Sequence, residues 1–158
     1  MINLMHKDER IYSVVLKTSE SDVESALEET VQKMEKEFEN ISFDINVKDK
    51  KLVPFELVLD ITMKVASGVA VGLVIKCLER LWEEFRKKRM TPETQGMDSI
   101  QSSAERYLGA IGVTKFKILE RKDRGPYVTF VFEDEEGDKH NLVVTSFDLK
   151  ILHYRREG

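Results

Sequence analysis

Ile41-Ser42-Phe43-Asp44-Ile45-Asn46-Val47 alternates apolar and polar residues without a break. Side chains of a strand point to opposite faces in turn. The pattern therefore predicts a strand with Ile41, Phe43, Ile45 and Val47 against a core and the polar residues in water. On its N-terminal side, Val23, Ala26, Leu27, Thr30, Val31, Met34 and Phe38 recur at helical spacing, which predicts a helix over about 22–39. Ser21 and Glu24 stand three apart at its start, the spacing of a capping box. The β-branched run 11–17 before it reads as another strand. Together these make a βαβ unit, whose two strands are expected to run parallel through a right-handed crossover.

On the C-terminal side, Lys48-Asp49-Lys50-Lys51 reads as a charged loop and Pro54 as the first turn of a helix, where its missing amide hydrogen costs nothing. Residues 55–59 suit either a short strand or the start of that helix. Residues 60–89 read as helix: 65–75 is almost wholly apolar, Leu78, Leu81, Trp82 and Phe85 form a narrower stripe, and Arg86–Arg89 complement the helix dipole. Gly68 and Gly72 would then lie inside a helix, at about 1 kcal/mol each relative to Ala. With Ala66, Ser67 and Ala70 they leave a smooth surface that admits a close backbone, either within the chain or from a second copy. The expected interface residues are Gly68, Gly72 and Trp82.

Residues 90–97 carry Pro and Gly without periodicity and read as a linker between a module over 1–90 and a second over 97–158, which either share a core or stand apart. The second begins with a helix over about 98–111, with Ile100, Ala104, Tyr107, Leu108 and Ile111 inward and Gly112 as its stop. Four strands follow, over about 115–121, 127–133, 139–145 and 148–154. The expected fold class is α+β: a βαβ-α unit followed by an α-ββββ unit with an antiparallel C-terminal sheet.

The last hairpins can be threaded. A three-residue loop Glu135-Glu136-Gly137, with Gly137 left-handed, sets Phe130 opposite Leu142, Val128 opposite Val144 and Phe132 opposite His140. A two-residue turn at Ser146-Phe147 then sets His140 opposite His153. Such a pair can bind zinc or carry a proton, but a zinc site needs further ligands. Glu133 would join only if the first hairpin slipped by one residue. The candidate metal ligands are thus His140, His153 and Glu133, against the alternative of histidines at the edge of the core. The acids Asp123 and Glu133–Glu136 lie in turns, not on adjoining strands as a metal-dependent nuclease requires. Lys115, Lys117, Arg121, Lys150, Tyr127 and Tyr154 are expected on the sheet's opposite face, where cations and stacking rings could hold a nucleic acid. Cys77 is expected to be a buried small hydrophobe.

Composition narrows the classes. The chain has 25 basic and 29 acidic residues, a net charge of −4, and a pI near 5.5. Neither half is strongly charged, which argues against a dedicated nucleic-acid binder. One cysteine excludes an internal disulfide framework. The uncharged run between Lys64 and Lys76 is too short for a membrane span, and the charges from His6 to Arg10 leave no room for a signal peptide, so a cytoplasmic location is expected. Glu and Lys total 35 against 7 Asn and Gln, a bias of thermophilic proteins.

Phe43–Val47, Pro54, Ala66-Ser67-Gly68-Val69-Ala70-Val71-Gly72, Leu81-Trp82 and Arg86–Arg89 together resemble the effector-associated constant component, a non-catalytic adaptor module of prokaryotic conflict and signalling systems. The resemblance spans residues 41–89 and implies an interaction module without catalytic residues or cofactor. The expectation is a small cytoplasmic adaptor, self-associating through the 60–89 helix, with an unnamed protein partner. The alternatives are a nucleic-acid-binding module using the C-terminal sheet and, with less support, a metal-dependent enzyme.

Overall fold

The computed structural model describes residues 9–158; the charges at His6, Lys7 and Asp8 lie outside them. The chain is α+β and divides into two compact units, one ending at Glu93 and the other spanning Thr94–Gly158. Among the described residues, no helix is long and apolar enough to cross a membrane.

The first unit runs β1 (Arg10–Thr18), α1 (Val23–Glu37), β2 (Ile41–Leu52), β3 (Phe55–Val65), α2 (Val71–Lys87) and β4 (Thr91–Pro92). Its sheet has the order β2-β3-β1-β4, and every pairing is antiparallel. The strand expected at 41–47 is present with Ile41 and Phe43 buried, but Ile45 is only partly buried and Val47 is exposed, and the strand continues through the charged residues 48–51, which were expected as a loop. A β-bulge between Val47 and Asp49 absorbs Lys48. Pro54 sits in the hairpin turn after β2, not in a helix.

The expected helix over 60–89 is corrected at its first half. Phe55, Leu57, Leu59, Ile61, Met63 and Val65 alternate with polar or smaller residues over eleven positions. This is β3, with Leu57, Leu59, Ile61, Met63 and Val65 essentially inaccessible and Asp60, Thr62 and Lys64 only partly buried. It lies between β1 and β2, so those two strands are parallel in direction but not neighbours. Residues 66–70 form the connection to α2. Arg10 Nη2 donates to Val69 O at 2.6 Å, and Val74 N to Ala70 O at 3.2 Å. Gly68 has a φ of +89° there, so it serves the turn and not a helix surface. Gly72 is in the first turn of α2, and a Cβ at either glycine would meet nothing within 4 Å. No backbone of the described residues therefore approaches them closely.

The buried stripe of α1 is Val23, Leu27, Val31 and Met34, and that of α2 is Val74, Cys77, Leu78, Leu81 and Phe85, both at helical spacing. With Tyr12, Val14, Leu16 and the inward residues of β3 they form the core of this unit. The expected capping box fails: Asp22 is the N-cap and makes no side-chain cap bond. Within the expected linker, Thr91 and Pro92 pair with Lys17 and Leu16, and Glu93 N donates to Val15 O at 2.8 Å.

The second unit is α3 (Met97–Ala110) followed by β5 (Phe116–Asp123), β6 (Tyr127–Asp134), β7 (Lys139–Thr145) and β8 (Ile151–Glu157) in an antiparallel meander. Gly112 stops α3 with a φ of +95°. Ile100, Ala104 and Leu108 of α3 pack on Val128, Phe130, Phe132, Leu142 and Val144. The β6–β7 register is the one threaded from sequence, with Phe132 opposite His140 and Gly137 at a φ of +86°.

Candidate functional site

The β6–β7 hairpin sets the inward parity of its residues, and that parity carries His140 into the core with no exposed surface. Phe132 and Asp134 share its face, at the end of β6. His140 Nε2 lies 2.8 Å from Asp134 Oδ2, and its Nδ1 lies 2.7 Å from the Tyr154 hydroxyl. With Nε2–H donating to the carboxylate, Nδ1 accepts from the Tyr154 hydroxyl. Asp134 Oδ1 accepts from the backbone N–H groups of Glu136 and Asp138, at 2.9 and 3.0 Å. These bonds, led by the one from His140, hold the Asp134 carboxyl below the usual aspartate range, against an opposing contribution from burial. Burial pushes the Tyr154 hydroxyl up. The Tyr154 ring packs edge-on to Tyr107 of α3, with ring centres 5.4 Å apart.

Arg156 closes the network from β8. Its guanidinium lies 2.7 Å from Asp138, 3.6 Å from Asp134 and 3.7 Å from Glu136. Carboxylate oxygens of those three acids lie within 4.8 Å of one another, a spacing that could hold a cation. Arg156 reaches all three acids, and its single positive charge offsets one of their three negative charges. A surface cleft of about 260 Å³ beside them is lined by Val113, Lys115, Asp134, Glu135, Glu136 and Arg156. Tyr154 and His140 do not line it. The arrangement fastens the β6–β7 turn to β8, and its one hydroxyl beside a base, Tyr154 on His140, lies outside the cleft.

The expected pairing of His140 with His153 is corrected. Thr145 N donates to Lys150 O at 2.9 Å, and the Thr145 hydroxyl accepts from Lys150 N and bonds Asp148, so the connection is five residues long. With a further bulge at Leu152, His140 falls opposite Arg156 and His153 opposite Val143. His153 is exposed on the other face of the sheet. Glu133 pairs with Lys117 at 3.4 Å, so the three candidate metal ligands do not converge. The expected stacking face is corrected as well: Tyr154 packs on the core and Tyr127 is buried. Arg156 was missed from sequence, and Asp134 and Tyr154 entered there only as a turn acid and a stacking ring. Asp134 was findable, because it shares the parity of Phe132 and follows from the hairpin register.

Cys77 is buried as expected, and burial pushes its thiol up to about 12, with Glu37 adding to the shift. Trp82 is half-buried on α2, its ring 5.4 Å from that of Phe85. Apolar exposure lies elsewhere in the first unit. Leu52 is 72% exposed and Val53 94%, at the tip of the β2–β3 hairpin, and Val47 is 48% exposed on the same hairpin. Comparison with known proteins finds no matching family model, no matching curated protein and no matching solved structure.

Proposed function

We propose that this protein is a small non-catalytic interaction module that self-associates through the tip of the β2–β3 hairpin. The observation that carries the reading is the exposure of Leu52 and Val53, adjacent and uncovered at the end of a regular hairpin. Fully burying a side chain of this kind stabilises by about 1.5–3 kcal/mol, so the pair offers roughly 3–6 kcal/mol per copy before the costs of association. A two-fold contact would use the same patch on both copies. Asp49 and Glu56, interleaved with Lys48, Lys50 and Lys51, supply both signs of charge for it. The resemblance of residues 41–89 to an adaptor module points the same way, although the contact now falls on the hairpin and not on Gly68, Gly72 and Trp82.

Light scattering tests the reading. The wild-type protein is expected at the mass of a dimer. Leu52→Asp with Val53→Asp is expected at the mass of a monomer with a melting temperature that no longer depends on protein concentration, since neither residue supports the core. A wild-type protein that stays monomeric at high concentration overturns the reading, as does a variant that keeps the dimer mass.

A further inference from the structure

A second surface lies on the other unit. β5 is an edge strand: β6 pairs with one side of it, and among the described residues no strand pairs with the other. Every residue of β5 after Phe116 is exposed. Ile118 is 40% and Leu119 45% exposed in its middle. The strand with its flanks, residues 115–124, carries Lys115, Lys117, Arg121, Lys122 and Arg124 against only Glu120 and Asp123. That is five cations to two acids within a chain whose net charge is −4.

We propose that the outer edge of β5 binds an extended acidic peptide segment of a partner protein, which adds as a strand and seats apolar side chains on Ile118 and Leu119. This goes beyond self-association, because it gives the module a second surface on a separate unit. Three features favour that occupant. An open edge offers unpaired backbone groups, and main-chain hydrogen bonding is what an added strand recognises. Cations on an edge discourage pairing with an identical strand and select a partner of opposite charge. The intrachain bonds of these cations lie at the surface: Lys117 to Glu133 at 3.4 Å, Lys115 to Glu135 at 3.6 Å, Lys122 to Glu120 at 2.7 Å and Arg121 to Gln101 at 2.6 Å. Such pairs contribute little and can be exchanged for partner carboxylates. The bulge between Ile118 and Glu120 divides the edge into two regular segments and leaves Leu119 unpaired with β6.

The test titrates the full-length protein with a short peptide alternating glutamate and valine. Controls are the same peptide with lysine for glutamate, an N-methylated glutamate peptide that cannot form the ladder, and a single-stranded RNA oligonucleotide. The glutamate peptide is expected to bind, to shift the amide signals of residues 116–123, and to weaken at least about tenfold on N-methylation or in Lys117→Glu/Lys122→Glu. Absence of binding, equal binding of the lysine peptide, indifference to N-methylation, or preference for RNA each overturns the proposal. The mass of the protein is recorded in the same samples. Loss of peptide binding with the dimer intact refutes this surface alone, whereas a monomer that still binds the peptide refutes only the hairpin contact.

Discussion

Replacing His140 by Phe removes both ends of the buried network while keeping an aromatic ring opposite Phe132. The bond to Asp134 at 2.8 Å and the bond to Tyr154 at 2.7 Å are lost. Each contributes about 1 kcal/mol net, and a donor left without a partner costs about a further 1–3 kcal/mol. The stranded group is the Tyr154 hydroxyl, since Asp134 keeps its two backbone donors and Arg156 beside it. His140→Phe is therefore expected to destabilise the second unit by about 3–5 kcal/mol. Tyr154→Phe alone is expected to cost about 2–4 kcal/mol, because it strands Nδ1 of the buried His140, and the double variant about 2 kcal/mol, less than the sum because neither partner is then stranded. The assay is a urea titration in which amide signals of residues 94–158 report the second unit. Fluorescence of Trp82, the sole tryptophan, reports the first unit in the same titration. Strictly additive losses, or a His140→Phe cost below about 1 kcal/mol, would refute the assignment of this network as the clasp of the β6–β8 end.

Gly72→Ala is expected to stabilise the first unit by about 0.5–1 kcal/mol, because Gly72 is helical with open space around it, whereas Gly68→Ala is expected to destabilise through its positive φ; the Trp82 melting curve reads both. Cys77 is expected to resist a thiol reagent in the native protein and to react on unfolding, since burial holds it as the unreactive thiol; native-state labelling at the rate of a free thiol contradicts this. Asp134 is held below its unfolded value, so its contribution is fully present above the ordinary aspartate range and is lost as pH falls through the lower folded value. The second unit is thus expected to keep its stability down to about pH 4 and lose it below, and Asp134→Asn is expected to flatten that acid limb in a pH series of urea midpoints.

Where one face of an element is buried, its period was visible in the residues. The strand at 41–47, the stripe of α1, the stop at Gly112 and the whole β6–β7 register follow from spacing and turn chemistry alone. Two features defeated that reading. The alternation of Phe55 through Val65 was hidden because Val58 is also apolar and the following Ala66–Gly72 run extends the apolar stretch, so a strand and a loop looked like one helix. The β7–β8 connection was misread because its length is set by Thr145 and Asp148 bonding across the loop, a side-chain interaction that hydrophobic pattern does not encode. That error moved His153 to the wrong face and hid Tyr154 and Arg156 as partners of His140 and Asp134. The hairpin tip was overlooked for a related reason: Lys48–Lys51 carries loop composition, yet it is held in a strand by its partner β3.

Self-association through the hairpin is tested most directly by placing a nitroxide label at residue 56 and measuring distances between copies. Glu56→Cys gives an exposed thiol, while the native Cys77 is buried and stays unlabelled. A two-fold contact at Leu52 and Val53 brings the two labels close, so a short intermolecular distance is expected, vanishing on dilution with unlabelled protein and in the Leu52→Asp/Val53→Asp variant. A singly labelled sample with no dipolar coupling between copies, at concentrations where its mass is that of a dimer, would place the contact elsewhere and contradict the account.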